Sequence, residues 1–197
     1  MEKLVVSSLV LASSSPRRRE LLAQIGVTPA RIASPDIDES HHRGELPRDY
    51  ALRMATEKAA AVLRADGEVV LAGDTVVALG RRILPRAADA AEVAHCLTLL
   101  SGRRHRVYSA IALVDAQGKV RTRLSETILT FKRLHPSEIA AYAASGEGEG
   151  KAGGYAIQGR AAMFVRWLAG SHSGVVGLPL AETATLLGAA GMLPHHG

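Results

Sequence analysis

The chain has little of what marks several protein classes. Its 197 residues include one cysteine, Cys96, so no intrachain disulfide can form and a reducing compartment is expected. Aromatic residues make up only 4 %, and no stretch interleaves them with arginines, so the stacking platforms of a single-strand binder are missing. No apolar run approaches the ~18 residues that a membrane helix needs. The run from Leu4 to Ala12 is a poor signal peptide, because Glu2 stands in the would-be positive region and two serines interrupt it. Cytoplasm is the expected location. The eight histidines are scattered without an H-E-x-x-H pair, and lysine is scarce, with 5 lysines against 19 arginines. His195 and His196 read as tail.

What is present is ordinary for a globular protein: 47 % hydrophobic and 22 % charged residues in 20.8 kDa, enough for one large domain or two small lobes around a real core. The formal charge of +5 and pI near 9.7 suit an anionic small substrate, a nucleic acid or simply a soluble surface.

Hydrophobic periodicity alternates between strand and helix along the chain. Leu9–Ala12 reads as a buried strand, followed by a helix from Pro16, with Ser15 as N-cap, to a stop at Gly26. Arg31–Ala33 reads as a short strand. Leu52, Ala55, Ala59, Val62 and Leu63 predict a helix over Pro47–Arg64. Val69–Ala72 reads as a second buried strand that ends in Gly73-Asp74-Thr75, with strand resuming at Val76–Leu79. A helix over Asp89–Leu100 and a hairpin of Val107–Val114 with Val120–Phe131 follow. Then come a helix at Pro136–Ser145, a glycine-rich segment over 146–159, a strand at Met163–Leu168 and a last helix at Pro179–Leu187. The class is α/β or mixed α+β.

Several residues carry candidate chemistry. Ser13-Ser14-Ser15-Pro16-Arg17-Arg18-Arg19 opens the first helix, where backbone N–H groups and the positive dipole end converge. Arginines there oppose the dipole unless an anion compensates, so the turn reads as a phosphate site with Ser13 and Ser15 as donors and Arg17 and Arg18 as planar forks. Asp74 suits a water-activating base or a cation ligand, and equally the start of a turn. Asp36, Asp38 and Glu39 form an acidic cluster, which suits Mg²⁺ or a solvated loop. Lys58 stands among alanines on its helix. Gly148-Glu149-Gly150-Lys151-Ala152-Gly153 matches G-x-G-x-x-G but follows a helix instead of a strand, so it reads as a mobile loop offering Lys151 as counter-charge. Gly170-Ser171-His172-Ser173-Gly174 has histidine where a nucleophile elbow needs serine, and Cys96 reads as core.

In order along the chain stand Ser13-x-Ser15-Pro16-Arg17-Arg18, Gly73-Asp74-Thr75-Val76-Val77, Leu100-Ser101-Gly102-Arg103, Lys151-Ala152-Gly153-Gly154-Tyr155-x-Ile157-Gln158-Gly159 and Val176-Gly177-Leu178-Pro179. Together they resemble the Maf family of nucleoside triphosphate pyrophosphatases, over about residues 9–190. The resemblance implies hydrolysis of a nucleoside triphosphate to monophosphate and pyrophosphate, assisted by Mg²⁺ or Mn²⁺. It implies a single domain whose elongated mixed sheet, flanked by helices, forms two lobes around a cleft, and often a homodimer. Asp74 matches the family's proton acceptor. Arg17, Thr75 and Gln158 match positions that mark the branch acting on dTTP and UTP. Glu39 and Lys58 match other active-site positions, and Asp74 and Glu39 are the metal candidates. Leu84-Pro85-Arg86-Ala87 has arginine where the family has lysine, and Gly150 replaces an aspartate.

Elementary chemistry agrees with this assignment. A leaving pyrophosphate needs cations along the triphosphate, which Arg17, Arg18, Lys58, Arg86 and a divalent metal supply. The Gln158 amide both donates and accepts, which matches the O4 and N3–H edge of uracil or thymine better than the two donors of guanine. That argues against the 7-methyl-GTP branch of the family. The remaining alternative, a basic regulatory protein that binds nucleic acid, rests on the pI alone.

Overall fold

The computed structural model describes residues 8–193, so Glu2, the start of the Leu4–Ala12 run and the His195–His196 pair lie outside the described residues. Its frame is a mixed seven-stranded sheet. The strands are β1 (Ser8–Ala12), β2 (Arg31–Ala33), β3 (Glu68–Leu79), β4 (Arg82–Leu84), β5 (Arg104–Val114), β6 (Val120–Phe131) and β7 (Val165–Ala169). Their order is β2-β1-β3-β5-β6-β7, with β4 added beside β3. β1 lies parallel to both β2 and β3, and the remaining pairs are antiparallel.

Residue alternation assigns the two faces. Leu9 and Leu11 of β1 and Val69 and Leu71 of β3 meet α1 (Pro16–Gln24) and α6 (Leu180–Ala189) through Leu21, Leu22, Leu186 and Leu187. Val10, Ala12, Val70 and Ala72 point the other way, against Ala51, Ala55 and Ala59 of α2 (Pro47–Ala60). Burial on both faces explains why these strands read as continuous apolar runs. Small alanines let α2 approach the sheet closely. A third cluster joins α3 (Ala90–Leu100) and α4 (Pro136–Ala144) to the far ends of β5 and β6, and Phe131, Tyr142, Tyr155 and Phe164 are stacked edge to face within it.

The expected mixed α/β class is what the chain forms, and the hairpin turns at Asp115, whose Oδ1 accepts from the backbone of Gln117 and Lys119. Some boundaries differ. α2 stops at Ala60, four residues early, because Leu63 is 91 % exposed and does not continue the apolar stripe. Met163 and Phe164 lie in a 3-10 turn, Arg160–Phe164, ahead of β7. Two short elements had no sequence signal: β4, and α5 (His172–Val176), whose Ser171 cap accepts from Gly174 N–H. Among the described residues no helix is long and apolar enough to cross a membrane.

Candidate active site

The site opens where the sheet changes neighbours. β3 runs unbroken through Gly73-Asp74-Thr75, so Asp74 lies inside a strand, opposite Ala110 of β5, and not at the expected strand end. On its other side β1 pairs only as far as Ala12 opposite Ala72, and the pairing with β4 reaches only to Val77, opposite the last β4 residue, Leu84. Between those limits β3 has a bare edge, and Asp74 and Thr75 sit in that gap. Ligand crevices form at such places in α/β sheets.

The Asp74 carboxylate is 2 % exposed, and burial of a lone charge is costly. Two cations meet it. Lys58 Nζ donates to Oδ1 at 2.8 Å and Arg86 Nη2 to the same oxygen at 2.9 Å. Lys58 also lies 3.0 Å from Glu39 Oε1, and Arg86 lies 3.9 Å from Glu39 Oε2. Two carboxylates and two cations therefore form one cluster drawn from β3, α2, the segment after β4 and the loop before α2. Glu39 is the only one of the three clustered acids to join it. Asp38 instead accepts from Ser40 N–H at 2.9 Å, a bond that lowers its pKa, and Asp36 is exposed outside the cluster.

The loop that carries Glu39 is anchored by residues with no motif to announce them. Tyr50 Oη donates to the Glu39 carbonyl at 2.6 Å, and Arg53 forks onto Glu45 at 2.7 and 2.8 Å while donating to the Ser40 carbonyl. Burial, then the nearby Asp74 and Glu39 charges, push the Tyr50 hydroxyl up to about 12. An aromatic one helical turn before Met54 is the one sequence signal that marks Tyr50.

The start of α1 is the second part of the site. Ser15 holds the N-cap position, but its hydroxyl makes no cap bond. Ser13 Oγ instead accepts from Ser15 N–H at 3.2 Å and from Arg18 Nη1 at 2.8 Å. Arg18 Nε donates to the Gly177 carbonyl at 2.8 Å. Arg18 is therefore a buried strut that ties the first helix to the Val176-Gly177 turn, and only part of its expected phosphate fork is free. Burial pushes its guanidinium down to about 10, against the pull of Asp74. Arg17 is half-buried, and its pKa is lowered by burial and then by Arg86. Gly177, at φ 145°, takes a backbone conformation that suits glycine.

Three adjoining hollows share the Arg86 side chain. One of about 390 Å³ is lined by Ser13, Ser15, Arg17, Glu39, Lys58 and Lys151. Another of about 320 Å³ takes in Asp74, Thr75, Tyr50 and Glu39. A smaller one lies between Arg17, Thr75, Val77, Tyr155 and Val176. A single cleft thus joins the cationic turn at α1 to Asp74. Thr75 Oγ1 is buried there with no hydrogen-bond partner, a donor left for a ligand. Burial, then Arg17, lower the Lys151 pKa.

The glycine-rich segment, expected as a mobile loop, is held by backbone hydrogen bonds. Gly150 N–H donates to the Ala87 carbonyl at 2.7 Å, Ala87 N–H to Lys151 at 3.2 Å, and Gly153 N–H to Pro85 at 2.9 Å. These bonds pin it to the Arg86 stretch. Gly153 has φ 66°, and a Cβ there would meet Val77 Cγ1 at 2.7 Å. Gln158, expected to read the base, is exposed and lines none of the three hollows. Cys96 is fully buried core, as expected. Among the described residues no three His, Cys, Asp or Glu side chains converge as a metal cage.

The Maf-like protein family model matches residues 8–190. A protein of Sphingopyxis alaskensis named dTTP/UTP pyrophosphatase is 63 % identical over 185 residues, 94 % of this chain and 97 % of its own. Proteins of the same name from Novosphingobium aromaticivorans and Caulobacter vibrioides are 63 % and 56 % identical, over 93 % and 95 % of this chain and 92 % and 97 % of theirs. Among solved structures, a HAM1 protein from Coxiella burnetii aligns with 93 % of this chain and 100 % of its own at 19 % identity and a TM-score of 0.49, too distant a likeness to bear on function.

Proposed function

The chain belongs to the Maf family, and on that premise we propose that it hydrolyses dTTP and UTP to the monophosphate and pyrophosphate. The observation that carries this reading is one buried carboxylate, Asp74, bound on Oδ1 by Lys58 and Arg86 in a cleft that also takes in the cationic start of α1. The names of the close relatives support a thymine or uracil base; the position of Gln158 adds nothing to that choice.

In this mechanism the triphosphate lies along Arg17, Arg86 and Lys151, whose charges match the leaving pyrophosphate. Ser13, Ser15 and the first N–H groups of α1 offer donors to phosphate oxygens, and the orphaned Thr75 hydroxyl gains a partner. Both bonds to Asp74 fall on Oδ1, so Oδ2 is the oxygen that takes a proton from water as that water attacks the α-phosphorus. Lys58 and Arg86 balance the charge of Asp74 and fix its orientation. Arg18 holds the helix start in place and adds a fixed positive charge behind it.

A divalent metal fits the donor set. Mg²⁺ is usually held by one or two carboxylates together with substrate phosphates and waters. Asp74 and Glu39, whose side chain is 43 % exposed, would hold it. Bound there, the cation would offset charge on the phosphate oxygens. The aromatic cluster around α3 and α4 and the pair of clusters around α1, α2 and α6 are the two lobes of this proposal. A homodimeric state belongs to it as well, and so does a cytoplasmic location, which the single buried cysteine supports.

The test is incubation with UTP or dTTP and Mg²⁺, with both phosphorus products identified. Monophosphate and pyrophosphate in equal amounts are expected. Release of diphosphate and single phosphate would refute the assigned bond cleavage.

A further inference from the structure

One motif plays no part in the cleft. Leu100-Ser101-Gly102-Arg103 lies where α3 meets β5, and it lines a different hollow of about 770 Å³, together with Thr130, Lys132, Arg133, Arg166 and Trp167. This hollow shares no lining residue with the cleft. We propose that it is a second nucleotide site, which binds one nucleoside phosphate by stacking the base on Trp167 and holding the phosphate with Arg133 and Arg166.

The hollow is built by backbone bonds. Gly102 N–H donates to the Lys132 carbonyl at 2.9 Å and Phe131 N–H to the Arg103 carbonyl at 3.1 Å, while Ser101 Oγ accepts from Leu134 N–H at 2.8 Å. Gly102 makes the tight turn at φ 69°. β6 and β7 slip register here: Thr130 faces Trp167 and Phe131 faces Val165, which leaves Arg166 as the extra residue of a bulge. Neighbours in a regular strand point to opposite faces. A bulge re-aims a side chain, and here Arg166 and Trp167 both reach one hollow.

The chemistry is that of a phosphorylated aromatic ligand. Arg104, Thr130 and Trp167 lie in one row across three strands, with Arg104 Cζ 5.9 Å from the centre of the indole. Trp167 is still 47 % exposed. Lys132 is neutralised by Glu138 at 2.6 Å, but among the described residues none of Arg103, Arg104, Arg133 and Arg166 is paired with a carboxylate. A guanidinium cluster without counter-charge favours a phosphate group, which it can meet with paired N–H bonds. A second copy of the chain would suit this face poorly, because a two-fold axis would set arginine against arginine. A single exposed indole takes a single base, whereas binders of strands offer successive platforms.

Trp167 is the only tryptophan in the chain, so its emission reports this hollow directly. UMP is expected to quench it with saturation. Arg133→Glu and Arg166→Glu should each weaken that binding about tenfold, the value of one charge-assisted bond, with pyrophosphatase turnover unchanged. Arg17→Glu, which takes a phosphate-binding charge from the cleft, should leave the quenching as it is, which separates this site from the cleft. Absence of saturable quenching would overturn the proposal, and so would a UMP affinity in both arginine variants equal to that of the unsubstituted protein. An oligo-dT that quenches where UMP does not would overturn it in favour of a strand-binding surface.

Discussion

The cleft at Asp74 and the hollow at Trp167 are both cationic, and they differ in their carboxylates. In the cleft, Lys58 and Arg86 surround two carboxylates, Asp74 and Glu39. At the β6–β7 end, arginines and an indole gather, among the described residues, with no carboxylate other than Glu138, which Lys132 occupies. Both can draw a phosphate group, but only the cleft has a base to accept a proton. Positive charge alone makes a binding site, and a buried, oriented acid among the cations makes a reactive one.

The largest expected break in that contrast comes from Asp74→Asn. The amide keeps the shape but cannot take the proton, so turnover of UTP should fall about 10²–10⁴-fold in a pyrophosphate-release assay while circular dichroism stays unchanged. Full activity would remove Asp74 from the mechanism. Lys58→Met should come next. It strips one of two cations from a buried carboxylate and, with Arg86 still in place, should destabilise the fold by about 1.5–3 kcal/mol in urea titration, in addition to lowering turnover.

Acid should sharpen the contrast from the protein core. His105 is 1 % exposed, its Nε2 is 2.9 Å from Tyr155 Oη, and burial holds its pKa down to about 4. Below the ordinary value near 6.5 the unfolded chain binds a proton that the folded chain refuses, so stability falls with falling pH between about 6.5 and 4. The full loss is about 3 kcal/mol. His105→Asn should flatten the dependence of melting temperature on pH across that window, whatever it does to the melting temperature itself.

The smallest effects belong to the frame of the cleft. Gly153→Ala would put a methyl against Val77 at a left-handed position and should cost about 1–3 kcal/mol in thermal unfolding. Arg18→Lys keeps the charge but replaces a planar fork, whose separate nitrogens bond Gly177 and Ser13, with one nitrogen, and a loss of about 1 kcal/mol is expected in the same measurement.

The sequence made the frame legible where local rules govern. β1 and β3 announced themselves as apolar runs, Pro16 marked the start of α1, and the Asp115 turn marked the hairpin. Leu63 misled because helical spacing continues past the point where burial ends. The three-residue β4 carries no period of its own. In the candidate site, Asp74 and the serine–arginine turn stood out by residue type and by resemblance. Arg18 as a strut did not, because its partner Gly177 lies 159 positions away. Nor did the pinning of the glycine segment to Pro85–Ala87, where backbone atoms make the bonds and side chains leave no trace.

That pinning has a consequence for rates. With the Lys151 and Arg86 stretches tied together by backbone bonds, the mouth of the cleft is held by its own chain, and little of it must be ordered on binding. Capture of a highly charged anion by such a mouth is governed by the encounter itself, so added salt slows association steeply while leaving the chemical step alone.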